Sequence, residues 1–236
     1  MSKPVVLILG AGGNIGASLT SKFASGGYSI GLASRSRHDG TTPEGHLNIR
    51  IDLTNPLSLP SAFEKTKKAF GIPNIVIYNA AMMRVPPNPE DMFSVSVEDM
   101  ASDVNLMTVS AYAAAREAVK AWEGLHQDEG GKKVFIYTGN MLNKTIMASP
   151  YVLTLGVGKA GAAYWIGSAS ALYADKGYKF YYADQHLSDG GPMGTDVGGP
   201  AAAEFYWKLV TEDVDVPWDA TFVEGKGYVD FSAFKK

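Results

Sequence analysis

A buried-strand pattern that runs straight into a glycine-rich turn and then into a helix constrains this chain more than any other feature. Val5-Val6-Leu7-Ile8-Leu9 is apolar at every position, as expected of a strand covered on both faces. Gly10-Ala11-Gly12-Gly13-Asn14-Ile15-Gly16 follows, opening a helix that runs to about Ser25. Glycines let the chain turn tightly, bring backbone N–H groups close to a pyrophosphate and let the helix lie against the strand, and the helix N-terminus adds partial positive charge. An anionic dinucleotide is the natural occupant, with Gly10, Gly13, Asn14, Ile15 and Gly16 around its phosphates. The strand-turn-helix setting outweighs a turn that only reverses the chain.

The rest of the chain repeats the alternation. Strands are predicted at Tyr28–Ala33, His46–Ile51, Ile75–Tyr78, Val134–Tyr137 and Phe180–Ala183, with a short one at Gly227–Val229. Helices are predicted at Leu57–Phe70, Val97–Glu123, Gly158–Asp175 and Ala201–Val210, the longest carrying Leu106, Val109, Ala113 and Val119 near helical spacing. This is the pattern of an α/β fold, a Rossmann-type doubly wound parallel sheet flanked by helices, in one domain over residues 1–236. Pro86–Pro89 and the tail after Glu212 read as surface elements.

Composition removes several function classes. The chain has no cysteine, so disulfides, thiolate metal sites and cysteine nucleophiles are excluded, and a reducing compartment is compatible. A charge of −3 without a long basic block gives no electrostatic footprint for nucleic acid. No apolar run approaches the ~20 residues that span a bilayer, and Met1-Ser2-Lys3-Pro4 leading directly into a strand is not a secretory pattern. The expectation is a cytoplasmic protein with a small-molecule substrate and neither nucleic acid nor membrane as partner. His38, His46, His126 and His186 show no metal-ligand spacing.

The coenzyme's identity is read at the end of the second strand. Ala33-Ser34-Arg35-Ser36-Arg37 puts small and basic residues where an NAD site uses Asp or Glu to hold the ribose hydroxyls. Arg35 can clamp a 2′-phosphate bidentately and Ser34 can add a hydrogen bond, which favours NADPH over NADH. The alternative is that Arg35 and Arg37 are solvated loop charges.

With these landmarks the chain resembles the short-chain dehydrogenase/reductase family along nearly its whole length. Gly10, Gly13 and Gly16 are similar to its Gly-x-x-Gly-x-x-Gly variant; against the commoner Gly-x-x-x-Gly-x-Gly, Asn14 stands at the middle glycine. Asp52-Leu53 resembles the pair that contacts adenine, and Asn79-Ala80-Ala81 the Asn-Asn-Ala-Gly segment. Val104-Asn105 resembles the Val-Asn whose asparagine kinks its helix and holds a relay water. Lys159-Ala160-Gly161-Ala162 resembles the Lys-Ala-Ala of the next helix. Gly191-Pro192-Met193-Gly194-Thr195 resembles the loop that contacts the nicotinamide carboxamide. The resemblance implies an oxidoreductase that forms a homodimer or homotetramer through the helices near 97–123 and 158–175.

The chain departs from the family at the catalytic tyrosine. The family pairs a tyrosine with a lysine four residues later, because a tyrosine with a pKa near 10 needs an adjacent cation to exchange protons at pH 7. Leu155 holds that position before Lys159. Tyr151 lies eight residues before Lys159, and Thr138 lies 13 before Tyr151, near the family's serine-to-tyrosine spacing. A regular helix through 151–159 would separate Tyr151 and Lys159 by ~12 Å. Gly156, Gly158 and Pro150 instead suggest a helix starting near Gly158, with Tyr151 on a loop as proton donor or aromatic wall. Catalytic candidates are thus Tyr151, Lys159, Thr138 and Asn105, with His186 a further acid-base candidate. Met141, Met147, Met193, Phe205 and Trp207 are expected to line an apolar cavity. The leading reading is NADPH-dependent reduction of a carbonyl or imine. The alternative is an NADP(H)-binding protein without redox turnover, either a sensor or a non-redox isomerase or cyclase.

Overall fold

A computed structural model describes residues 3–125 and 131–232; His126 lies outside them. The strands are β1 (Val5–Leu9), β2 (Ser29–Ser34), β3 (Gly40–Thr41), β4 (Leu47–Arg50), β5 (Ile75–Tyr78), β6 (Lys133–Thr138), β7 (Tyr178–Gln185), β8 (Asp219–Val223) and β9 (Gly227–Tyr228). They form one sheet in the order β3-β4-β2-β1-β5-β6-β7-β8-β9. β4 through β8 in that order run parallel, and β3 and β9 are antiparallel edges. The chain winds outward from β1 through β2, then returns to place β5 on the other side of β1. The crevice for a ligand therefore opens at the carboxyl ends of β1 and β5.

Helices α1 (Ile15–Ser25) and α6 (Gly199–Thr211) cover one face, sealing a core of Ile8, Leu19, Phe23, Ile136 and Tyr206. Helices α2 (Leu59–Phe70), α4 (Ser110–Glu123) and α5 (Leu153–Leu172) cover the other, over Leu7, Val76, Phe135 and Phe180. Coverage of both faces explains the unbroken apolar runs of β1 and β5.

The structure corrects the sequence reading in four places. The tail after Glu212 contains β8, whose Ala220 and Phe222 are buried; Asp219 and Thr221 between apolar residues hide it from a search for continuous apolar runs. β3, two residues that pair antiparallel with the expected strand β4, is too short to leave a period. The helix predicted over Val97–Glu123 is α3 (Val97–Val104), a π-helical turn at Asn105–Val109, and α4. The wide turn releases carbonyls from the regular ladder, and two strand tyrosines capture them: Tyr78 OH donates to Leu106 O and Tyr137 OH to Met107 O, the latter at 3.0 Å.

The fourth correction concerns α5, which begins at Leu153 rather than Gly158 and is preceded by a single 3₁₀ turn, Pro150–Val152. The helix tolerates its glycines because packing requires one of them. A Cβ at Gly158 would stand 2.7 Å from Met107 Cβ, so α5 can lie on the π turn only where a side chain is missing. Thr108 Oγ1 donates to Gly158 O across the same contact, at 3.0 Å.

Candidate active site

The glycine turn forms as expected. Gly10 N and Ala11 N donate to Ala33 O at 2.9 and 3.1 Å, binding the turn to the end of β2. Gly10 has φ +91°, and a Cβ there would lie 2.5 Å from Ala80 N; one on Gly16 would lie 2.8 Å from the Ala11 carbonyl carbon. Gly12 and Gly13 are exposed. The first turn of α1 has no acidic side chain and no side-chain cap. An uncapped N-terminus beneath bare, exposed backbone fits a pyrophosphate. The Asn14 side chain instead holds α6: Nδ2 donates to Val197 O at 2.9 Å and Oδ1 accepts from Gly199 N at 3.1 Å.

At the adenosine end, Ser34 Oγ and Ser36 Oγ share a hydrogen bond at 3.3 Å, and Arg35 is exposed. Arg37 is half-buried, not solvated. Its Nη1 donates to Asn48 Oδ1 at 2.5 Å and its Nη2 to Ala11 O at 3.2 Å, so this arginine braces the turn itself. Asp52 accepts from Thr54 N at 3.0 Å and Thr54 Oγ1 at 2.9 Å, which holds its pKa below the usual carboxylate range, with Arg35 contributing. Leu53 is buried in the core, so only its backbone can face a ligand.

At the opposite end a polar chain links four elements. Tyr206 OH on α6 donates to Thr138 Oγ1 at 3.0 Å, Thr138 Oγ1 to Asn79 Oδ1 at 2.9 Å, and Asn79 Nδ2 to Gly10 O at 3.0 Å. The hydroxyl of Thr138 is therefore a link in this chain, with its proton committed to Asn79. Ala80 and Ala81 continue from Asn79 over the turn, Ala81 being exposed.

Tyr78, Tyr137 and Tyr182 are register partners on β5, β6 and β7. Their rings stack with centroids 5.8 and 5.5 Å apart. Lys159 lies over the middle ring, Nζ 4.6 Å from its centroid, and donates to Thr138 O at 2.6 Å. Lys159 is 3% exposed. Burial pulls its pKa down to about 7, with the Asp184 carboxylate opposing the shift. Burial raises the pKa of all three tyrosines. Tyr182 OH is held by Asn140, accepting from its N at 3.0 Å and donating to its O at 2.7 Å.

Leu155 is half-buried and packs against the core near this cluster. Tyr151 stands on the 3₁₀ turn before α5 and is 43% exposed. Because helical backbone continues from there to Lys159, the loop expected to carry Tyr151 ahead of a helix starting near Gly158 does not form. Asn105 begins the π turn, and its carbonyl accepts from Ser110 N.

Beyond β7, His186 Nδ1 meets Gly190 O at 2.9 Å and Nε2 meets Asp184 Oδ2 at 2.6 Å. Two acceptors on one ring are the geometry of an imidazolium. Burial opposes that charge, but the hydrogen bond and charge of Asp184 prevail and raise the His186 pKa. The pair anchors the segment that carries Gly191, Pro192, Met193 and Thr195, where Leu187 N donates to Gly191 O at 2.9 Å. Phe231 stacks on His186, centroids 5.1 Å apart.

Two expected cavity residues lie elsewhere. Phe205 stacks on Phe222 at 4.3 Å, and Trp207 packs edge-on to Phe23 and Tyr28, both in the α1–α6 layer. Helical residues near a loop are drawn to whichever face is apolar, and here that face is the core. The tyrosine row and Tyr206 were not singled out as site residues from sequence. The available signal was that Tyr78 and Tyr137 occupy the ends of neighbouring predicted strands. Among the described residues no group of three His, Asp or Glu side chains is placed to hold a metal ion, and no helix is long and apolar enough to cross a membrane.

The profile of the short chain dehydrogenase family matches residues 4–179. The chain is 38% identical over 245 aligned positions to the short chain dehydrogenase/reductase dmxR12 of Cryptosporiopsis sp., covering 99% of this chain and 97% of that one. It is 24% identical over 177 positions to the short chain dehydrogenase helC of Aspergillus fumigatus, covering 71% and 65%. Two solved structures share the fold at 16% identity. One is a 3-ketoacyl-(acyl-carrier-protein) reductase from Brucella melitensis complexed with NADH, with TM-score 0.76 over 95% of this chain and 98% of that one. The other is a short chain dehydrogenase from Burkholderia cenocepacia in complex with NADP, with TM-score 0.71 over 95% of this chain and 97% of that one.

Proposed function

The chain belongs to the short chain dehydrogenase family and is an oxidoreductase, and on that premise we propose that it reduces a carbonyl or imine group of a small organic substrate with NADPH. The chemistry such a coenzyme supplies is hydride donation from its dihydronicotinamide ring. In this reading the backbone of Gly10, Gly13, Asn14, Ile15 and Gly16 holds the pyrophosphate. Ser34 and Arg35 take the 2′-phosphate, and Asp52 and Leu53 flank the adenine. Asn79, Ala80 and Ala81 line the middle of the crevice, and Lys159 and Asn105 serve the nicotinamide end. The segment Gly191, Pro192, Met193 and Thr195 faces the carboxamide, and Thr138 positions Asn79. Tyr151, exposed at the head of α5, is assigned to the wall of the substrate entrance.

The observation that carries the coenzyme choice is the end of β2. No carboxylate stands there, Arg35 is exposed to receive a phosphate, and Arg37 braces the adjoining turn from behind. Calorimetric titration with NADPH and NADH tests it: NADPH is expected to bind at least tenfold more tightly, and equal affinity would remove the specificity. A panel of ketones, aldehydes and imines monitored by NADPH oxidation then tests the reaction.

A second reading, coenzyme binding without turnover, is favoured by Leu155 at the tyrosine position. Tight NADPH binding with no oxidation across the panel would select it. We also propose a homodimer or homotetramer in the cytoplasm. The support is the exposed apolar side chains on α4 and α5, Tyr112, Val157, Tyr164 and Leu172, together with the absence of cysteine.

A further inference from the structure

We propose that Lys159 is itself the proton donor of the reduction, taking over the part that a tyrosine at position 155 would play. The inference rests on the reductase reading above and concerns the same site.

The geometry proceeds by elimination around the carboxyl end of β6. Leu155 carries no exchangeable proton. The hydroxyls of Tyr78 and Tyr137 are committed to the carbonyls of Leu106 and Met107, that of Tyr182 to Asn140, and that of Tyr206 to Thr138. The Thr138 proton is committed to Asn79, and both ring nitrogens of His186 face acceptors. Lys159 has three N–H donors. One is given to Thr138 O, and among the described residues no second acceptor is bonded to it. That carbonyl belongs to the last residue of β6, so the ammonium lies at the edge of the crevice with protons in hand.

The surroundings also make the amine an effective acid. Burial disfavours the charged form, bringing its pKa to about 7, where an acid can both hold a proton and release it. Tyr137 on β6 presents a ring face to the amine and Asp184 on β7, the carboxylate that acts on it, is paired with His186, while on α3, which packs against α5, Asp103 is bonded to Arg84. The π turn Asn105–Val109 and the turn Met141–Asn143 carry no ionisable side chain.

The step balances with the dihydronicotinamide coenzyme as reductant. As hydride adds to the carbonyl carbon, the π pair of the C=O bond moves onto oxygen. That oxygen forms a bond to a proton as the Lys159 N–H bond breaks, leaving a neutral amine, an alcohol and the oxidised coenzyme. The amine then takes a proton from solvent.

The test begins without substrate. In apo protein labelled with ¹³C at the lysine ε carbons, one resonance is expected to titrate near pH 7 and to vanish in K159R. Lysine resonances that all titrate above pH 9 would overturn the proposal, whether or not K159R folds. With NADPH and the best ketone of the panel, wild-type kcat is expected to fall as pH rises through about 7. K159R, whose guanidinium keeps the charge but does not deprotonate, should lose at least 30-fold in kcat with under fivefold change in the KM for NADPH. Retained kcat in K159R would overturn the proposal and leave the reductase reading intact. Failure of the wild type to bind either coenzyme would overturn both.

Discussion

Lys159 Nζ stands 4.6 Å above the ring of Tyr137 while the hydroxyl of that same tyrosine is anchored 3.0 Å from Met107 O. The electron-rich face partly offsets what the ammonium loses on leaving water. The anchored hydroxyl prevents the ring from turning away. A buried cation is thereby held in place by a π turn two elements distant, which gives that irregular turn a direct bearing on the site.

The cost of burying this charge makes stability depend on pH. Lys159 titrates near 7 in the folded chain and near ~10.4 unfolded. Between those values the unfolded state binds more protons, so the Lys159 contribution rises with pH through that window, by at most about 1.4 kcal/mol per pH unit, and is lost as pH falls to 7. Urea denaturation at pH 7 and pH 9 should show wild type gaining on K159M over that range. A pH-independent difference would place the pKa elsewhere.

Tyr137→Phe should leave Met107 O without its buried donor. The expected loss is about 1–3 kcal/mol in urea denaturation, with α3 and α4 retained by circular dichroism. A loss below about 0.5 kcal/mol would mean that the π turn satisfies its carbonyls in another way.

Arg35 and Arg37 should separate by coenzyme. Arg35→Ala is expected to weaken NADPH at least tenfold and NADH less than threefold, because only the 2′-phosphate is lost. Arg37→Ala is expected to weaken both, since it frees Ala11 O and with it the turn that every dinucleotide uses. Calorimetric titration of both variants with both coenzymes provides the check.

Gly16→Ala should damage the turn. Its Cβ would stand 2.8 Å from the Ala11 carbonyl carbon, a backbone contact that cannot give way without moving α1. The expected result is 1–3 kcal/mol of destabilisation, roughly the range for overpacking, and at least tenfold weaker binding of either coenzyme. Unchanged affinity would show that the pyrophosphate lies elsewhere.

Local signals made the frame legible. The apolar runs of β1, β5 and β6 follow from strands covered on both faces, Gly10 from a turn with φ +91° and Gly16 from the close approach of the Ala11 backbone. β8 escaped because its burial depends on a partner strand more than thirty residues away. The start of α5 was misplaced for a related reason. Gly156 and Gly158 disfavour helix in isolation, but the approach of Met107 to Gly158 makes the missing side chain a condition of packing.

The sequence by itself determined the doubly wound sheet, the dinucleotide turn, the basic end of β2 and the loss of the tyrosine four residues before Lys159. These are matters of residue type, spacing and period. Only the tertiary structure decided which protons are available at the site. Three tyrosines meet because β5, β6 and β7 align in register, and their hydroxyls are consumed by a π turn and by the Asn140 backbone, which periodicity does not reveal. The Lys159 pKa is drawn down to about 7 by burial among elements distant in sequence. Hydrogen-bond commitment and desolvation depend on what surrounds a group in space, so they appear only when the chain is folded.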